Sequence, residues 1–297
     1  MDWDRLRIFH AVAGAGSFTA AGRRLGHSQS AVSRQIKALE ESLNVALFTR
    51  NARGLVLTDE GRRLYETAAR VVQEIELTEQ NIRDSRETPT GILRVTTMIT
   101  FGAVWLSPHL TEFLEQYPEI DIDLILSDEP LDLSAGEAQV SIRLGDPGPL
   151  DLIRKPLAMF HTHAYASPAY LARRGMPEKV EDLDHHDIIR FGGMSSGPLA
   201  NLDWLQEAGT PAKKRSPRLT VNNLYGVLHA VEAGVGIAVL PDYLVHNRKK
   251  LVRLFPDVEA PEYEAYYCYP PELKGSARVG LFRDFLLRQL QAERALL

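Results

Sequence analysis

Among the polar side chains of residues 29–37 in this 297-residue chain, five can share one face: Gln29, Ser30, Ser33, Arg34 and Lys37. An amide and a guanidinium can address base edges through paired hydrogen bonds, while hydroxyls and a lysine suit phosphate oxygens. No acid stands among them. Further on, Arg50 and Arg53 frame the segment Arg50-Asn51-Ala52-Arg53-Gly54, a basic tip within reach of a DNA backbone or minor groove. Taken alone, two arginines at a hairpin tip are better explained by solvation.

These residues need a helix and a hairpin to hold them. Val32, Ile36, Leu39 and Leu43 recur at helical spacing, so Ser28 to Leu43 reads as a helix with Ser28 as its N-cap. The polar set lies on the opposite face. Glu40 and Glu41 come only at the far end, an order that opposes the helix dipole. Such a cationic N-terminal half makes sense if the partner supplies the negative charge. Upstream, Asp4 to Ala13 reads as a first helix with Leu6, Phe9, Val12 and Ala13 inward, broken by Gly14-Ala15-Gly16. Ser17 caps a second through Ala20, Ala21 and Leu25, and Gly26-His27 turns the chain into the third. That order is a helix-turn-helix. Ala46-Leu47-Phe48 and Leu55-Val56-Leu57 then flank the basic tip as a β-ribbon, or wing.

Charge is unevenly spread. Residues 1–58 hold eight basic residues against four acids, a net +4, so the chain's net −5 leaves −9 on the remaining 239 residues. A basic head on an acidic body suits local phosphate contact. Cys268 is the only cysteine, so an internal disulfide is excluded and a reducing cytoplasm is the expected setting. The N-terminus lacks the apolar run of a secretory leader, and no stretch has the length of a membrane span.

Thr58 caps a long helix with Asp59 and Glu60 in its first turn. Leu64, Ala68, Val71, Ile75 and Ile82 form a narrow apolar seam, favoured as a dimer interface over packing on its own domain. Thr88-Pro89-Thr90-Gly91 ends it as a linker. From Ile92 the pattern changes: a strand at Leu93–Thr97, a helix from Thr100 to Tyr117 with Trp105, Leu106, Leu110, Phe113 and Leu114 inward, and a strand at Ile120–Leu126. A short helix from Leu131 to Glu137 and a strand at Val140–Leu144 follow. Such alternation predicts a parallel α/β sheet. A second α/β unit runs from Phe160 to about Leu240, Tyr263 to Tyr269 is a further strand, and Ser276 to Arg294 a final helix. Two such lobes leave a cleft where small ligands bind.

The run FHAVAGAGSFTAAGRRLGHSQSAVSRQIKALEESLNVALFTRNARGLVLTDEG from Phe9 to Gly61 resembles the LysR-type transcriptional regulators. So do LRVTT at Leu93, FLEQYPEIDIDL at Phe113, YASPAYL at Tyr165 and EAGVGIAVLPDYL at Glu232. HTHAYASPAYL, EDLDHHDI and YYCYPPEL further resemble a narrower branch, the LsrB/VtlR-type regulators. The resemblance implies an all-α winged helix-turn-helix (1–58), a dimerising linker helix (59–87) and an α/β two-lobed effector domain like a periplasmic binding protein (88–297). Lobe I would take about 92–159 and 270–297, and lobe II about 160–269. It implies a homodimer or homotetramer on double-stranded promoter DNA, a small-molecule effector, and RNA polymerase as a further partner, with no cofactor, metal or catalytic residue. Residue by residue, it places Gln29, Ser30, Ser33 and Arg34 at base and phosphate contacts and Arg53 in the minor groove. Thr97, Met98, Thr100 and Phe101 map to the first strand-to-helix turn of the effector site, with Asp128 and Arg143 on its rim. Two departures stand out: Gly22 replaces a usual alanine, which should soften the second helix, and Gln139 replaces a frequent acid.

Thr97 and Thr100 would offer hydroxyls and helix amides to a carboxylate ligand, or else simply cap the helix. Asp128 and Glu129 argue for a cationic or hydroxylated ligand, so the ligand's sign stays open. His161 and His163 share a strand face near His185-His186, a metal pattern outweighed by structural roles. Cys268, amid Tyr266, Tyr267 and Tyr269, reads as buried, with a redox-responsive regulator as the alternative. An enzyme is disfavoured because no dinucleotide, P-loop or nucleophile-elbow motif is present. A solute-binding protein is disfavoured by the N-terminal DNA head.

Overall fold

The computed structural model describes residues 2–51, 54–84, 89–145, 151–192, 200–209, 214–246 and 251–293. The side chains of residues 50, 51, 54, 73, 74, 76–84, 200 and 201 lie outside that description. The expected contacts Arg50 and Arg53, the linker after Asp84 and the seam residue Ile82 therefore fall outside the described side chains. The chain divides into two compact units, one formed by Met1–Ile82 with Ser134–Glu137 and a second formed by Arg83–Leu133 and Ala138–Leu297.

In the first unit, α1 (Trp3–Ala15), α2 (Phe18–Leu25) and α3 (Gln29–Leu43) follow one another. Helix α1 runs on through Gly14 and Ala15, stopping only at Gly16 with φ +60°. Ser17 and Ser28 each cap the next helix, accepting from the amides of Ala20 and Ala31. Strands β1 (Phe48–Asn51) and β2 (Gly54–Leu57) pair antiparallel as the wing, Phe48 opposite Leu57. Phe9, Val12, Val32, Ile36, Leu39 and Leu47 form the core. Ile8 joins them, whereas Ala13 is only half-buried.

Helix α4 (Asp59–Asp84) begins at Thr58, whose hydroxyl accepts the Gly61 amide and donates to the Ala46 carbonyl. A Cβ on Gly61 would sit 2.1 Å from the Leu47 carbonyl oxygen, so only glycine lets α4 approach the wing this closely. The apolar seam is divided. Ala68 is wholly buried in the core just described, and Leu64 and Val71 pack against it. The first half of the seam thus serves its own domain rather than another chain, whereas Ile75 is 38% exposed.

In the second unit, β3 (Gly91–Thr97) lies parallel between β4 (Ile120–Leu126) and β5 (Val140–Leu144). Between β3 and β4 the chain forms one helical run: α5 (Ile99–Phe101), a π turn (Gly102–Leu106) and α6 (Ser107–Gln116). Trp105, Leu106, Leu110 and Phe113 are buried as expected, but Leu114 is 40% exposed; nine residues after Trp105, it stands about half a turn round the helix from it, at the edge of the buried stripe. The helix expected from Leu131 to Glu137 is a turn, with Leu133 buried and Gly136 at φ +80°.

Strand β6 (Ile153–Ala166) starts well before Phe160, where the second α/β unit was expected to begin. It continues through α7 (Pro168–Arg174), a 3₁₀ turn at Val180–His185 and β7 (Ile189–Phe191), then a 3₁₀ turn at Ala200–Gln206 and β8 (Leu219–Val221), parallel to β7. Helix α8 (Leu224–Glu232), β9 (Ala238–Pro241), α9 (Asp242–Val245), β10 (Val252–Leu254), β11 (Glu262–Tyr269) and α10 (Ala277–Ala292) complete the unit. Strands β9 and β10 pair with the far half of β6. Strand β11, expected within lobe II, pairs along β6 and, over Ala265–Cys268, with β5. Thus β6 and β11 carry the chain from one lobe's sheet into the other's.

Candidate nucleic-acid interface and effector site

Helix α3 buries Val32, Ile36 and Leu39 and leaves Gln29, Ser30, Arg34 and Lys37 exposed, with Ser33 half-buried. The Oγ atoms of Ser28 and Ser30 lie 3.1 Å apart, which stiffens the helix start. Among the described residues, the Arg34 guanidinium has no ion-pair partner, whereas Lys37 Nζ lies 3.8 Å from Glu41. One expected cation is therefore fully available and another is loosely paired in solvent. Arg23 and Arg24, exposed in the last turn of α2, add charge that the sequence pattern did not assign to contacts.

Glu40 explains why the acids of α3 stand at its far end. Its Oε1 accepts the Leu47 amide at 2.7 Å and the Phe48 amide at 3.2 Å, which fastens α3 to the base of the wing. Gly22 is likewise more than a soft spot. A Cβ there would lie 2.7 Å from the His27 carbonyl oxygen, and the Gly22 carbonyl accepts the His27 amide, so the glycine closes the turn between α2 and α3.

The effector rim differs in detail from expectation. Thr97 is wholly buried and donates to the Ile142 carbonyl at 3.0 Å, so its hydroxyl does not cap the helix. Met98, Thr100 and Phe101 are also buried, 8%, 3% and 2% exposed. Asp128 Oδ1 accepts the Ile99 amide at 3.1 Å, so the chain supplies its own carboxylate to the first amide of the helical run. Arg143 is spent on its own loop: its guanidinium donates to the carbonyls of Ser127 and Glu129 at 2.8 and 3.0 Å and to Ser141 Oγ at 3.2 Å. Burial pulls the Arg143 guanidinium down from its ordinary range, and the Asp128 charge opposes that pull. Phe101 meets Phe160 and Tyr243 edge-on, with ring centroids 5.6 and 5.7 Å away, so α5, β6 and α9 share one aromatic seat. Burial pushes the Tyr243 hydroxyl up, with Asp128 adding to it. The sequence offered no local sign of these pairings, which span tens of residues.

His161 pairs with Glu262 at 3.0 Å, and His163 Nδ1 lies 2.8 Å from Asp242, which also accepts from the Tyr165 hydroxyl. His186 meets the Tyr170 hydroxyl at 3.2 Å. Each of these histidines thus has a protein partner, and among the described residues no group of three His, Cys, Asp or Glu is arranged to hold a metal ion. Cys268 is 1% exposed in an apolar cluster with Leu133 and Ala138, a setting that shields a thiol from oxidants.

Residues 3–62 match the model of the bacterial regulatory helix-turn-helix protein, lysR family, and residues 86–291 match that of the LysR substrate binding domain. The chain belongs to the LysR family of transcriptional regulators. It is a DNA-binding regulator rather than an enzyme. Among relatives of this LysR-type regulator is the HTH-type transcriptional regulator CrgA of Neisseria meningitidis serogroup C, 32% identical over 97% of this chain and 96% of that protein. A solved structure of CrgA from Neisseria meningitidis is 30% identical, covers 98% of this chain and 99% of that one, and superposes with a TM-score of 0.63. Full-length CbnR in complex with its target DNA shares the fold, with a TM-score of 0.66 at 22% identity over 97% and 100% of the two chains. These proteins carry other names than the LsrB/VtlR branch, so their likeness to this chain is that of the family as a whole. No helix among the described residues is long and apolar enough to cross a membrane.

Proposed function

We propose that this LysR-type regulator reads promoter DNA with the exposed face of α3 and reports the presence of a small effector held between the lobes of its second unit. Gln29 and Arg34 address base edges, while Ser30, Ser33 and Lys37 hold phosphates. Arg50 and Arg53 extend the contact from the wing. The observation that carries this reading is the Arg34 guanidinium, exposed and unpaired among the described residues on a helix whose opposite face is fully packed. In the effector domain, the segment Thr97, Met98, Thr100 and Phe101 forms the seat, with Asp128 and Arg143 holding the rim in shape. The protein acts in the cytoplasm as a homotetramer built from α4-linked dimers, and works on RNA polymerase at the promoter. Cys268, buried as it is, takes no part in this reading.

The test is footprinting on genomic fragments captured by the purified protein, with and without a metabolite extract. A protected site spanning several half-sites, one or more helical turns apart and shortened by the extract, is expected. A protein that captures no specific fragment, or whose footprint no metabolite alters, would refute the DNA or the effector half of the reading respectively.

A further inference from the structure

Trp105 is 5% exposed, and its indole N–H can only donate. A buried indole needs an acceptor. Trp105 finds one 188 residues further along the chain, where Nε1 donates to Glu293 Oε2 at 2.6 Å. The other oxygen, Glu293 Oε1, lies 3.4 Å from His109 Nε2. His109 Nδ1 in turn stands 2.6 Å from the Trp105 carbonyl, which can only accept, so Nδ1 carries the proton. One carboxylate at the end of α10 thus grips two side chains a helical turn apart.

Those two side chains belong to a stack of three rings. Phe101 lies on Trp105 with centroids 5.0 Å and planes 16° apart, and Trp105 lies on His109 at 4.4 Å and 26°. Glu293 holds the outer two rings, and the inner one, Phe101, meets Phe160 and Tyr243. The stack bridges the π turn Gly102–Leu106, whose widened spacing sets the rotation of Ile99–Phe101 against α6. A tie across that turn therefore fixes where Phe101 stands.

Helix α10 does not depend on this tie for its place. Gln289 donates to Glu112 at 2.7 Å and Arg288 to Gln116 at 3.1 Å, while Phe282 and Phe285 pack on Phe113 with centroids 5.1 and 5.2 Å away. Glu293 adds to these a hold on the rings that lead to the seat. Its side chain is 31% exposed and that of His109 is 21% exposed, so the grip can be removed without opening the core.

We propose that Glu293 is a positioning residue for the effector: its carboxylate holds Trp105 and His109, and their ring stack keeps Phe101 ready in the seat. This rests on the reading that Thr97–Phe101 seats an effector. A site ordered in advance binds more tightly, because the ligand does not bear the cost of ordering it. The test uses the full chain and three variants. Isotope-labelled tryptophan gives one indole N–H signal in NMR for each of Trp3, Trp105 and Trp204, and Trp105→Phe identifies that of Trp105. The Trp105 signal is expected to move upfield in Glu293→Leu and to stay near the parent position in Glu293→Gln, whose amide oxygen still accepts. Promoter footprints over a dilution series of metabolite extract then read the seat. Glu293→Leu is expected to need about tenfold more extract for the half-maximal change, the equivalent of one hydrogen bond to a charged group. Glu293→Gln should respond close to the parent dose, and operator affinity without extract should be the same in all three proteins. A Trp105 signal that Glu293→Leu leaves in place overturns the proposal. So does a loss of operator affinity without extract, which marks a general structural role. A parent that responds to extract, with Glu293→Leu responding at the same dose, sinks the proposal alone. A parent footprint that no dilution of extract alters sinks the effector reading, and the proposal with it.

Discussion

Replacing Glu40 by alanine should detach the wing from α3. The Glu40 carboxylate takes two amides on one oxygen, Leu47 at 2.7 Å and Phe48 at 3.2 Å. Hydrogen bonds to a charged group contribute about 1.5–3 kcal/mol each, and an unmet buried donor adds its own penalty. Leu47 is 1% exposed, so water cannot readily replace the lost acceptor there. The Phe48 bond is longer and Glu40 is only half-buried, which reduces its share. A total cost of about 2–3 kcal/mol follows for Glu40→Ala. For a unit of this size each kcal/mol moves the melting temperature by about 4–8 °C, so the transition of the DNA-binding unit should fall by roughly 10–20 °C. Glu40→Gln keeps a neutral acceptor and should lose about half as much. Scanning calorimetry on the full chain reads both, and the transition of the effector domain serves as the internal standard. Operator affinity should drop with the wing even at temperatures where α3 remains folded. A DNA-binding transition that Glu40→Ala leaves within about 1 °C of the parent would show that neither bond carries the load assigned to it.

Arg34→Ala should weaken operator binding while circular dichroism stays unchanged, and the salt dependence should fall by about one counterion if the contact is to phosphate; an unaltered salt titration would remove Arg34 from the interface. Ile75→Asp should break the dimer in sedimentation without lowering the melting of the first unit, because Leu64, Ala68 and Val71 keep their own packing. Asp182 accepts the amides of Glu178 and Lys179, at 3.0 and 3.1 Å, and the Lys179 bond, first among several causes, holds its carboxyl below the ordinary range. A depressed folded-state pKa stabilises above the unfolded value and loses that effect as pH falls through the folded one. The stability gap between the parent and Asp182→Asn should therefore be full at neutral pH and close in acid; a gap that widens on acidification would reverse the assignment. Cys268 should resist alkylation in the native protein and react on unfolding, and rapid native labelling would contradict its burial.

What the sequence made legible was local. Ser17, Ser28 and Thr58 cap the helices they precede, and the α3 core face falls where the spacing of Val32, Ile36 and Leu39 puts it. What it hid was distant or phase-dependent. Nothing near Asp128 shows that it will meet Ile99, and nothing near Glu40 names Leu47 as its partner. The seam on α4 has one periodicity but two levels of burial, so spacing alone could not say that Ala68 would join its own domain's core and Ile75 would stay exposed. Leu114 was misplaced because apolarity was read as inward even though the helical period puts it about half a turn from Trp105.

The wide turn at Gly102–Leu106 makes chain length itself a determinant of the proposed effector seat. There the Ser107 amide reaches back to the Gly102 carbonyl, one position further than an α-helix allows. Deleting one residue, at exposed Ala103 for instance, would let the turn close into ordinary helix and swing Ile99–Phe101 about 100° around the axis. Phe101 would leave Phe160 and Tyr243, and the Ile99 amide would leave Asp128. A shortened gene product would thus lose its seat with every seat residue still present, whereas substitution of Ala103 would leave it standing.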